Sequence, residues 1–211
     1  MSETPEQAKV RLVNRALVRI GVSPSYSVDE ETHLGGIVDT TWPNVEARVF
    51  SPPFDWRFAR QTQALARLSA TPQNGWAYGF ALPGTRIGAP LAILSEAGQR
   101  ERLCRDFRIE GGNVYTNEPQ AWARIRVKSS PESWDEGFAL AFVTALASVL
   151  AVPLREDEDR AAQLDAEAFG PNFARGQLAG LFGALHTSDR ASSQQTGRGF
   201  IATDPLTAAR L

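Results

Sequence analysis

Residues 121–150 read AWARIRVKSSPESWDEGFALAFVTALASVL, and within them the spacing of apolar residues changes from two to nearly four. Ala123, Ile125 and Val127 alternate with Trp122, Arg124, Arg126 and Lys128, the pattern of a strand with one buried face. Trp134, Phe138, Phe142, Leu146, Val149 and Leu150 then recur at three and four residues, which predicts a helix of about five turns. Ala139, Ala145, Ala147 and Ser148 leave room for a close neighbour, and Pro153 is expected to end the helix. A strand running straight into a core helix implies an α+β chain.

Upstream of this switch the chain is β-rich. Pro- and Gly-bounded segments at 57–68, 76–82, 91–94, 103–109, 114–116 and 121–127 predict four to six antiparallel strands. Glu110-Gly111-Gly112-Asn113 is a tight hairpin signal. Further upstream the helical period holds again. Thr4 fits an N-cap and Pro5 a first helical position. Val10, Val13, Ala16 or Leu17, and Ile20 form an apolar stripe that Gly21 and Pro24 close. Arg11, Arg15 and Arg19 stand four apart on the other side. A second helix is expected to begin after Ser27 or Asp29, with Leu34, Ile37 or Val38, Thr41, Val45 and Val49 as its stripe and a kink or break at Pro43.

After Pro153 the run Glu156-Asp157-Glu158-Asp159 suits a helix start, where carboxylates meet the positive end of the helix dipole. Gly170-Pro171 should split that helix, which is expected to resume through Phe173, Leu178, Leu181, Phe182 and Leu185. From residue 187 to 199 the chain is polar. Phe200, Ile201, Pro205, Leu206 and Leu211 follow, read as apolar anchors on a solvated tether that orders on a partner; the alternative is a disordered end with scattered hydrophobes. The expected organisation is therefore a helical bundle from residues 1–53 and 130–187, a β-rich insertion at 54–129, and a C-terminal extension at 188–211.

Bulk composition narrows the chemistry. Apolar residues make up 43% and charged residues 22% of the 211, the balance of a folded globular chain. Net charge is −2, so no overall positive field points to nucleic acid. Of 22 basic residues only Lys9 and Lys128 are lysines; arginine's planar donors suit protein interfaces, and a GC-rich genome produces the same bias. A lone Cys104 and no signal-peptide pattern imply folding in a reducing cytoplasm. The run from Phe138 to Pro153 reads as too short and Ala-rich to span a bilayer.

No reactive set emerges. His33 and His186 are isolated from other metal-ligand types and are expected at the surface or at helix ends, so no metal site is expected. No Gly-x-Ser-x-Gly turn or phosphate loop is present. Cys104, flanked by Arg102 and Arg105, could serve a small cytoplasmic hydrolase, as could a serine; the simpler reading of Cys104 is a small buried hydrophobe. A generic interaction module is a third reading.

Several stretches together carry a resemblance. They are Ala16-Leu17-x-x-Ile20-Gly21-x-x-Pro24 with Ser27-Val28-Asp29-Glu30, Phe54-Asp55-Trp56-Arg57-Phe58-Ala59-Arg60, Leu65-Ala66-Arg67-Leu68, Trp76 to Pro83, Tyr115-Thr116-Asn117, and the Trp134 helix ending at Ala151-Val152-Pro153-Leu154. In this order they resemble the head-to-tail adaptors of tailed phages, of the tail tubular protein A type, which also occur in gene transfer agents. The resemblance spans roughly Ala8 to Leu185. It departs from the family at Gly170-Pro171, which interrupts a helix, and beyond His186, where no motif aligns.

The resemblance implies a virion structural protein without catalytic residues or cofactors, with a helical bundle and an inserted β domain. It further implies a homo-oligomeric ring, commonly of twelve copies, at the neck. Such a ring binds the portal protein above and a tail, nozzle or stopper protein below, with no membrane partner, and DNA crosses it without sequence-specific contacts. In such a ring the row Arg11, Arg15, Arg19 is expected to meet a neighbour's acids, and the anchors Phe200, Ile201, Pro205, Leu206 and Leu211 to reach the portal.

Overall fold

The computed structural model describes residues 3–28, 32–51, 53–98 and 101–191. Among them it is α+β, with five α-helices and two four-stranded antiparallel sheets. Helix α1 (Pro5–Arg19) opens with a reciprocal cap: Thr4 Oγ1 accepts the Gln7 N–H, and Gln7 Oε1 accepts the Thr4 N–H at 3.0 Å. Its buried face is Ala8, Leu12, Val13, Ala16 and Leu17. The expected stripe is thus rotated: Val10 is only half-buried, and Leu12 takes its place.

Helix α2 (His33–Phe50) starts at a Thr32 cap, later than Ser27 or Asp29, and runs through Pro43 without the expected break. Pro43 faces solvent, while its neighbours Trp42, Val45 and Val49 are packed inward. Burial of that face holds the helix together across the missing N–H.

Helix α3 (Glu136–Arg155) is the central post, with twelve of its twenty residues buried. Asp135 caps it by accepting the Phe138 N–H at 2.8 Å. It passes Pro153 and stops two residues later, where Glu156 takes a left-handed conformation at φ 53°. Proline in the last turn loses one bond, and the Glu156 N–H still reaches the Val152 carbonyl at 2.8 Å. At twenty residues and mean hydropathy 2.2, α3 is long and apolar enough to cross a membrane, so the expectation based on its length fails. Two-thirds of its apolar window is buried in the fold, which makes it a core helix here.

Helix α4 (Glu158–Phe169) begins at Asp157, whose carboxylate accepts the Arg160 N–H at 2.8 Å. Gly170-Pro171 does split the helical run. Phe173 lies in a short 3-10 turn, however, and regular helix returns only at α5 (Gly180–Ala191), which extends past 187. Gly180 has φ +62°, and a Cβ there would lie 2.5 Å from the Glu167 carbonyl, so only glycine lets α5 start against the end of α4. Aromatic rings knit the bundle: Trp134 and Phe142 lie 4.6 Å apart, Trp42 stacks parallel to Trp134, and Trp56 Nε1 donates to the Val49 carbonyl at 2.7 Å.

Among the described residues the middle holds eight short strands rather than four to six: β1 (Arg60–Ala64), β2 (Ala66–Arg67), β3 (Tyr78–Ala81), β4 (Ala92–Glu96), β5 (Arg102–Leu103), β6 (Phe107–Glu110), β7 (Asn113–Thr116) and β8 (Trp122–Arg126). One sheet runs β1-β8-β4-β5 and the other β2-β3-β7-β6. Two segments expected to be single strands change sheets midway, at Leu65 and at Cys104, which accounts for the extra strands. Phe80, Ile93, Val114, Ala123 and Ile125 fill the core of this β-rich unit. Gly111 and Gly112, with φ 57° and 79°, make the expected hairpin between β6 and β7, closed by Glu110 opposite Asn113.

Candidate interaction groove

The arginine row on α1 faces outward, and each member is tied to a different part of the chain. Arg11 grips Glu3 through Nε and Nη2 at 2.9 and 3.0 Å. That hydrogen-bonded guanidinium holds the Glu3 carboxyl below its ordinary range. Arg15 spends only Nη1, at 3.0 and 3.2 Å from the two oxygens of Glu136 on α3. Arg19 bonds Glu167 on α4 at 2.7 Å and also the Thr144 hydroxyl. All three acids therefore belong to the same chain.

Between α1 and α3 this row borders a groove of about 630 Å³, whose apolar contacts are Val18, Pro24, Leu140 and Val143. Val18 is 59% and Leu140 41% exposed, so two branched aliphatic side chains stand uncovered next to cationic groups. Geometry explains the gap. Arg15 meets Glu136 and Arg19 meets Thr144, so α1 and α3 run in the same direction and the long arginines bridge above their seam. The pairing leaves Arg15 Nε and Nη2 with no hydrogen-bond partner among the described residues. Aliphatic contact flanked by bidentate N–H donors fits a segment carrying both an apolar side chain and a carboxylate.

The arginine row is legible in the sequence, whereas the apolar contacts beside it depend on how α1 and α3 pack. Their signal was present: Val18 and Leu140 are aliphatic residues standing off the buried stripes of their own helices. The expected anchors Phe200, Ile201, Pro205, Leu206 and Leu211 lie outside the described residues.

A second concavity, of about 750 Å³, surrounds Cys104 between β5 and β6. The thiol is buried, with Sγ 3.4 Å from the Asp106 carbonyl and 3.3 Å from Thr116 Oγ1; the Thr116 hydroxyl donates to that same carbonyl at 2.9 Å. These bonds hold the crossing from one sheet to the other. Carboxylates and arginines line the cleft, and neither histidine does. His33 is exposed at the start of α2. His186, expected at the surface or at a helix end, is instead buried in the middle of α5 with its ring edge-on to Trp56 at 5.6 Å. It falls one turn after Phe182 and so shares that residue's inward face. Among the described residues no three His, Cys, Asp or Glu side chains are placed to hold a metal. Compared with known proteins, the chain matches no family model and no curated sequence.

Proposed function

We propose that this chain is a structural subunit of the neck of a phage-type particle: an adaptor that forms a ring between portal and tail and lets DNA pass through. The observation that carries this reading is the uncovered Val18–Leu140 groove beside the arginine row, an aliphatic and cationic seam suited to a neighbouring protein surface. A closed ring needs two different complementary faces on every subunit, and this groove can serve as one of them. Support also comes from the order of motifs between Ala8 and Leu185. Within them Phe54, Trp56, Phe138 and Phe142 form the aromatic centre of the bundle around which the β-rich segment is inserted. A ring of about twelve copies, the portal above, a tail, nozzle or stopper protein below, and location at the virion neck all follow from the resemblance. In this reading Gly197 to Leu211 contacts the portal through Phe200, Ile201, Pro205, Leu206 and Leu211.

Particles carrying the protein with a density label at Leu211 provide the test. Class-averaged images are expected to place the label at the neck, and label elsewhere, or its absence from particles, would remove the adaptor reading. Deleting Gly197 to Leu211 should leave a folded subunit that no longer attaches to heads; normal attachment would end the portal role of that segment.

A further inference from the structure

The α1–α3 groove has a counterpart on the same molecule. At the far end of α3, Val152 is 43% exposed, and one turn later the chain enters Glu156-Asp157-Glu158-Asp159. Asp157 is committed to capping α4. Glu156, Glu158 and Asp159 make no ion pair or side-chain hydrogen bond among the described residues; Arg155 precedes the run and Arg160 follows it, the latter spending its guanidinium on Gln163 Oε1 and the Arg19 carbonyl rather than on an acid. This corner therefore pairs an uncovered aliphatic side chain with unspent carboxylates. The groove pairs Val18 and Leu140 with unspent arginine donors.

The two surfaces cannot meet within one chain. Leu140 and Val152 are twelve residues apart on α3, in regular helix geometry roughly 18 Å along the axis and about 120° around it. From this pairing of exposed aliphatic side chains and opposite charges we infer that the groove's occupant is a second copy of this chain: the Val152 and Glu156–Asp159 corner of one subunit seats in the α1–α3 groove of the next, with Glu158 or Asp159 on Arg15. The contact is head-to-tail, since each copy offers one groove and one corner, and repeated it builds a ring or an open chain. It rests on the ring reading above and supplies that ring's interface.

Sedimentation of the full chain across about 1 µM to about 1 mM tests it. Wild type is expected to self-associate. Leu140→Glu, which blocks the groove, and the pair Glu158→Arg with Asp159→Arg, which reverses the corner, should each weaken association by at least about tenfold. Thermal melting of each variant checks that the fold is intact. Mixing the two variants is the decisive arm. The corner variant keeps a sound groove and the groove variant keeps a sound corner, so the mixture is expected to recover wild-type affinity for a dimer and grow no further. Association of either variant at wild-type strength, or a mixture that stays monomeric, overturns the pairing and leaves the ring to another surface. No association of wild type at about 1 mM also overturns it. The neck-label experiment decides the ring reading independently of all three results.

Discussion

Asn14 clamps a loop with both ends of its amide: Nδ2 donates to the Tyr26 carbonyl at 3.1 Å, and Oδ1 accepts the Tyr26 N–H at 2.9 Å. This folds the segment after α1 back so that Tyr26 is buried against the bundle. Asn14→Ala leaves both backbone groups without their partner and should cost about 1–3 kcal/mol, read as a lower urea midpoint at unchanged slope. An unaltered midpoint would show that water replaces the amide without loss. Nothing local marks Asn14, because its partner is twelve residues away. Thr4 and Gln7, by contrast, satisfy each other across three residues, and Thr4 was readable as a cap from its type and place alone.

At the scale of elements, the two helical prolines show packing overruling local preference. Pro43 and Pro153 each interrupt the ladder of a helix that continues past them. Pro43 is exposed, so alanine fits there without moving the core and restores an N–H to the ladder. Pro43→Ala should therefore raise stability by about 1–3 kcal/mol, measured by chemical denaturation. A loss would mean that α2 needs the bend proline imposes to seat Trp42 and Val45. The strands teach the converse lesson. Pro and Gly boundaries with alternation at 122–128 mark the β-rich segments, and Glu110-Gly111-Gly112-Asn113 marks the hairpin that joins β6 to β7. The sheet changes at Leu65 and Cys104 have no local mark, because which sheet a strand joins depends on distant partners: the Leu65 N–H bonds the Ala121 carbonyl, and the Cys104 N–H bonds the Ile93 carbonyl.

At the scale of the molecule the described residues form two buried apolar clusters, one in the bundle and one between the sheets. Among the described residues few polar ties join them: Arg60 on β1 grips Asp55 at 2.7 and 3.0 Å, Arg126 Nη1 donates to the Phe54 carbonyl at 3.4 Å, and Lys128 pairs with Glu46 at 3.0 Å. A cavity made in one cluster should therefore loosen that unit first. Ile125→Ala is expected to cost about 2–5 kcal/mol. Amide hydrogen exchange should show lost protection in β1, β4 and β8 while α3 stays protected. Equal loss in α3 would show that the two clusters unfold as one.

The sequence by itself determined the α+β class, the change of period near residue 130, the α1 cap, the split at Gly170-Pro171, and the arginine row. Each depends on spacing or on bonds within a few residues, which a linear chain already contains. Only the tertiary structure decided that α2 and α3 pass their prolines, that two segments switch sheets, that His186 turns inward, and that Val18 and Leu140 stay uncovered between α1 and α3. Those outcomes depend on what lies across the fold, and burial against a distant surface is worth more than any local preference that opposes it.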